Sequence, residues 1–192
     1  MTALRVVAAN PPVDLAAAAS AVRDLLIALG QDPDAEHLRR TPHRVAAAYA
    51  ELFAPAEFEL TTFANDEGYD ELVLARDIPF RSLCEHHMLP FHGVAHVGYF
   101  PDERIVGLSK LARMVERFAG GLQVQERLTQ QIADALDDSL HPKGVGVVLE
   151  AEHQCMSIRG VRAHDSRTLT SSLRGHLREN AAARQEFFAL TR

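Results

Sequence analysis

The chain has 192 residues, with 20 Lys and Arg against 26 Asp and Glu, giving a formal net charge of -6. That balance disfavours nucleic acid and anionic membranes as partners, so any anionic substrate requires a local basic cluster. An apolar fraction of 47% with 24% charged residues is that of an ordinary globular protein, and no apolar run reaches the length of a bilayer span.

The opening stretch, MTALRVVAANPPVDLAAAASAV, reads as a mobile leader. Asn10-Pro11-Pro12 and Asp14 interrupt it before a signal-peptide core can form, and a cytoplasmic protein is expected. Asp14 caps a first helix with Leu15, Val22, Leu25, Leu26 and Leu29 as its apolar stripe, stopped by Gly30. A second helix begins at TPHRVAAAYAELF, with Thr41 as the cap and Pro42 at the first helical position, where its missing N–H costs nothing. ELVLARDIPF from Glu71 and GVAHVGYF from Gly93 have period-two character and predict an antiparallel pair.

Ser109 is placed to cap KLARMVERFA, which Gly120-Gly121 ends. QVQERLTQQIADALDDSL then repeats apolar residues at Val124, Leu128, Ile132, Leu136 and Leu140, the stripe of a core-facing helix closed by His141-Pro142. Strands are expected over Val145 to Glu150, Cys155 to Val161 and Thr168 to Leu173, and a last helix through ENAAARQEFFAL. With no repeat or linker to divide it, the order predicts a single α+β domain.

Between the first two strands lies SLCEHHMLPFHG, residues 82 to 93, which holds one of only two cysteines and three of the ten histidines. Cys84 and His87 are three apart, so one turn can aim both at a point, and thiolate with imidazole is a zinc-type donor set. The other cysteine sits in EHQCMSIRG, where His153, Cys155 and Arg159 share a parity and project from one face if the segment is a strand. The absence of secretory features argues against a structural disulfide. Four donors, Cys84, His87, His153 and Cys155, make a closed structural zinc site; three leave a position for water and make a catalytic one. Simple burial of the thiols is the remaining reading.

GLSKLARMVERF puts Ser109 and Lys110 at a helix start, where free N–H groups and the dipole favour an anion, with Arg113 on the same face. Capping serines and solvated bases are also commonplace there. In QVQERL, Gln125 and Glu126 open a helix. A carboxylate there can accept from the N1–H and 2-amino edge of guanine, although the dipole favours an acid at that position in any case.

Taken together, CEHH, GLSKLARMVERF, QVQERLTQQIADAL and HQCMSIRGV, in this order and spacing over about Thr41 to Leu173, resemble the type I GTP cyclohydrolase family. The resemblance implies conversion of GTP and water to 7,8-dihydroneopterin triphosphate and formate, the first step of folate or pteridine biosynthesis. It implies the tunnelling fold: an antiparallel sheet with two helices on one face and N-terminal helices, its barrel closed by oligomerisation. A homodecamer with active sites shared between subunits is expected. Residues 1–40 then form the leader and first helix, and 41–192 the catalytic domain. Carried over to this chain, Cys84, His87 and Cys155 look like the Zn2+ ligands, with His86, His153 and Ser109 catalytic and Glu85 giving positioning support. Gln125 and Glu126 look like the guanine readers. Lys110, Arg113 and Arg159 look like triphosphate ligands, joined by Arg44 from a neighbouring subunit. The competing expectation from another class is a non-catalytic, zinc-stabilised oligomeric module that binds nucleotide or a partner protein.

Overall fold

The computed structural model describes residues 2–5, 12–54 and 59–192, the first four by backbone alone. The chain divides into two compact units, one of Ala8–Ala54 and the other of Met1–Val7 with Pro55–Arg192.

In the smaller unit, α1 (Leu15–Ala28) packs against α2 (Thr41–Phe53). Asp14 caps α1 as expected, its Oδ1 accepting from the Ala17 N–H at 2.9 Å, and Gly30 follows the helix with φ of 76°. The apolar stripe is another matter. Leu15, Leu25 and Leu29 are exposed, and Ala19 is the buried residue of this helix. α2 starts one position early: Thr41 is already helical and Arg40 is the cap, with no side-chain cap bond.

The larger unit is α+β. A five-stranded sheet runs in the order β6-β3-β4-β7-β8, from β3 (Val73–Cys84), β4 (Pro90–Phe100), β6 (Leu122–Gln123), β7 (Gly144–His153) and β8 (Thr168–Arg174). Its pairs are antiparallel except the short β3–β6 pairing. A second sheet joins β1 (Thr2–Arg5), β2 (Glu59–Ala64) and β5 (Arg104–Val106), so the start of the leader is paired backbone, contrary to the reading of a mobile segment. Residues 6–11 of that leader lie outside the described residues.

Alternation along the strands decides the layers. Phe91, Ala95, Val97 and Tyr99 of β4 and Val145, Val147, Leu149 and Ala151 of β7 face α3 (Leu108–Ala119) and α4 (Gln125–Leu140) across the main core. Four of the five residues of the predicted α4 stripe are there, Val124 being the half-buried cap outside the helix, with Leu128, Ile132 and Leu136 fully buried and Leu140 nearly so. Each such side chain contributes roughly 1.5–3 kcal/mol by leaving water. The opposite face is covered at one end. Phe100 and Val148 meet Leu177 of α6 (Gly175–Glu179) and Ala183 and Phe187 of α7 (Ala181–Leu190). Gly98 and Gly146, directly opposed on β4 and β7, make that packing possible: a Cβ on Gly146 would lie 2.8 Å from the Phe187 ring.

One strand prediction fails. Cys155 to Val161 is not extended; β7 ends at His153 and the chain enters a single helical turn, α5 (Gln154–Ser157), followed by bends. Alternating parity therefore does not bring His153, Cys155 and Arg159 to one face. Ser109 is likewise not the cap of α3, since Gly107 holds that position and Ser109 lies in the first turn.

Candidate active site and metal centre

The hairpin between β3 and β4 builds the first half of the site. Cys84 ends β3, buried, and the chain turns back on itself through Glu85–Met88: the His87 and Met88 N–H groups donate to the Cys84 carbonyl at 3.3 and 2.8 Å. Met88 takes φ of 54° to complete the reversal, and the Cys84 N–H donates to the Leu89 carbonyl. This turn gives the two adjacent histidines different directions, with ring planes 81° apart.

The α5 turn brings the second half. One ligand atom each from Cys84, His87 and Cys155 lie within 4.8 Å of one another, a group that can hold a metal ion. Cys84 Sγ is 3.8 Å from His87 Nδ1. Zinc–sulfur and zinc–nitrogen bonds of about 2.3 and 2.0 Å in a tetrahedron place such donors roughly 3.5 Å apart, so the spacing fits. Burial pushes the Cys155 thiol up, reinforced by the neighbouring Cys84 thiol, while Arg159 acts the other way. A dication held there would offset both penalties, as thiolate–metal chemistry requires. His86 also comes within 3.9 Å of Cys84 Sγ but does not belong to the three-donor group.

His153 is held apart from that group by two clamps. Its ring stacks on Phe91, its direct register partner across β4 and β7, with centroids 4.6 Å apart and planes within 2°. Its Nε2 lies 2.8 Å from Gln125 Oε1. The direction of that bond follows from the rest of the amide: Gln125 Nε2 faces the carbonyls of Leu149 and Thr168 and the Thr170 hydroxyl at 3.2, 2.9 and 3.1 Å, all acceptors. Oε1 can only accept, so His153 Nε2 donates and Nδ1 carries the lone pair. Thr170 in turn donates to Thr129 Oγ1, which donates to the Gln125 carbonyl, both at 2.7 Å, closing a ring of hydroxyls behind the amide. Burial lowers the His153 pKa from its ordinary value, and Glu126 opposes this.

The remaining sequence-derived positions lie on several elements. Glu126 is exposed beside the buried Gln125 at the start of α4. Ser109, Lys110 and Arg113 occupy the first two turns of α3, and Arg159 lies exposed in the bends after α5. Arg44 is exposed on α2, in the other unit. Sequence reasoning missed Phe91, Thr129 and Thr170, because their roles depend on strand register and on a helix packing over a sheet. Arg127, inside the QVQERL motif, was also passed over.

An α+β unit in which two cysteines and a histidine can hold a metal ion beside a clamped histidine has the donor set of metal-dependent enzymes. The GTP cyclohydrolase I family profile matches residues 18–192, and the chain belongs to that family. It is 55% identical to GTP cyclohydrolase 1 of Corynebacterium aurimucosum over 91% of this chain and 92% of the relative. Against GTP cyclohydrolase 1 of Mycolicibacterium vanbaalenii it is 57% identical, over 90% of this chain and 88% of the relative. Among solved structures, an archaeosine synthase QueF-Like in the apo form matches 54% of this chain and 93% of its own, at 16% identity and a TM-score of 0.43. No helix among the described residues is long and apolar enough to cross a membrane.

Proposed function

We propose that this chain hydrolyses GTP to 7,8-dihydroneopterin triphosphate and formate in the cytoplasm, feeding folate or pteridine synthesis. The single observation that carries the reading is the convergence of Cys84, His87 and Cys155 from two distant segments onto one point in a member of this family. Those three side chains hold Zn2+. Zinc, when bound, supplies the Lewis acid that makes water nucleophilic near neutral pH.

The protein side chains do the rest. Glu126 accepts from the N1–H and 2-amino groups of guanine, an edge that adenine cannot present. Gln125 contributes through His153 rather than through the base, because each polar atom of its amide already has a partner in the fold. Lys110, Arg113 and Arg159, with Arg44 of a neighbouring subunit, bind the triphosphate. His153 presents an acceptor Nδ1 to the substrate while Nε2–H stays fixed on Gln125. His86, exposed next to the ligand turn, donates the proton that the departing imidazole-ring nitrogen requires, and Ser109 assists at the sugar. An imidazole suits both directions of transfer because one ring nitrogen can donate while the other accepts.

A homodecamer is part of the proposal. β8 ends the five-stranded sheet with an open edge, and Leu108, Ile158, Val161 and Leu169 expose apolar side chains, features suited to burial against further subunits. Incubating zinc-replete, assembled protein with GTP tests the function directly. Formate release and a product that oxidises to a fluorescent pterin are expected; GTP left untouched rejects the reading.

A further inference from the structure

We propose that Arg127 is a positioning residue, a clasp that locks the metal-ligand turn to the helix start that reads the base. The inference rests on the site reading above. Arg127 is the third residue of α4, and its guanidinium spans the gap to the CEHH turn. Nη2 donates to Glu85 Oε2 at 2.6 Å and to the Leu122 carbonyl at 3.1 Å, while Nε donates to Gln123 Oε1 at 3.0 Å.

The partners belong to two parts of the frame, the ligand turn and β6. Glu85 immediately follows the ligand Cys84, and its other carboxylate oxygen lies 3.9 Å from His86 Nε2. Leu122 and Gln123 form β6, which pairs in parallel with Leu83 and Cys84, and the Glu85 N–H donates to the Gln123 carbonyl at 3.0 Å. Gln123 is anchored again on the helix side, its Nε2 donating to the Phe118 carbonyl at 2.8 Å and to Gln131 Oε1 at 2.9 Å. The guanidinium thus uses its fork to tie β6 and the ligand turn to α4, with Gln123 extending the link to the end of α3, a task for a planar multidentate donor.

Stability alone does not account for this arrangement. The Arg127 and Glu85 side chains retain 41% and 32% of their exposure, and ion pairs this open add little to folding. The clasp instead sets the separation between the metal donors and Glu126, the quantity on which attack at a bound purine depends, since misplacement by about 1 Å costs on the order of a hundredfold in rate.

The test is a double-mutant cycle of Arg127→Met and Glu85→Gln, with Arg127→Lys as the conservative variant. Zn2+ affinity is read by competition with a chromophoric chelator, steady-state kinetics with GTP, and assembly by light scattering. Arg127→Met is expected to weaken zinc about tenfold and lower kcat roughly 10- to 100-fold, the range for residues that orient metal ligands, with KM for GTP little changed. Glu85→Gln in that background adds no further loss, and Arg127→Lys recovers part of both quantities. Additive losses, a rise confined to KM, or wild-type zinc affinity in an assembled Arg127→Met protein would each overturn the clasp. Wild-type protein that binds zinc but leaves GTP unchanged defeats the functional reading alone, because the chelator competition still measures the coupling between Arg127 and Glu85.

Discussion

The Phe91 ring lies flat on the His153 imidazole, 4.6 Å between centroids and 2° from parallel, and the two residues are opposed in the β4–β7 register. The strand pairing therefore aims the imidazole without any loop being involved. Phe91 is fully buried, so Phe91→Leu is expected to cost roughly 1–3 kcal/mol of stability and to free the imidazole to rotate. Thermal unfolding should register the first effect. A severalfold fall in kcat with KM nearly unchanged should register the second.

Removing a thiolate is expected to remove the metal. Cys84→Ser and Cys155→Ser should each purify with zinc well below one per chain by atomic emission, with activity lost. His86→Ala should keep its zinc and lose most turnover, because His86 lies outside the three-donor group. Equal metal loss in His86→Ala would exchange the roles of the two adjacent histidines.

Gln125 is 1% exposed and faces acceptors on three sides, which predicts an order for its variants. Gln125→Glu places a carboxylate against the Leu149 and Thr168 carbonyls and should destabilise more than Gln125→Leu. Leaving buried acceptors unpaired costs about 1–3 kcal/mol even in the milder case. Both should depress kcat through His153. If either raises KM for GTP with kcat intact, Gln125 reads guanine after all.

His96 sets a pH dependence of stability away from the active site. It is buried on β4, its Nδ1 accepting from the Asp77 N–H at 3.3 Å, where β3 bulges and Asp77 adopts φ of 54°. Burial lowers its pKa, helped by Arg76 and opposed by Asp77 and Glu150. As pH falls, the unfolded chain takes up this proton first. The His96 contribution is therefore complete above the unfolded value of about 6.5 and is lost as pH falls through the folded value. The Tm of the wild type should drop between pH 7 and 5, and that of His96→Gln should drop less. Parallel declines would show that other groups govern the range.

Much of this molecule was legible from local pattern. The α4 stripe, the β3–β4 pair, the Asp14 cap and the Gly120 stop all follow from periodicity and from residues with one conformational use. The segment after His153 was not legible, because CMSI is apolar enough for a strand and its helical turn is set by tertiary context. The small sheet of β1, β2 and β5 escaped for a related reason: its strands are short and its partners far apart in sequence. The proposed donors were visible as residue types, but Phe91, Thr170 and Arg127 acquire meaning only once register and helix packing are known.

Three successive residues at the start of α4 have three different surroundings: Gln125 is bonded to His153, Glu126 is exposed, and Arg127 is bonded to the hairpin. A helix advances about 100° per residue, so one position inserted or deleted between Arg127 and the buried Leu128 would swing all three together relative to the stripe that seats the helix. Length variation in this protein should accumulate elsewhere, since that junction works as an indexing stop whose tooth cannot be skipped.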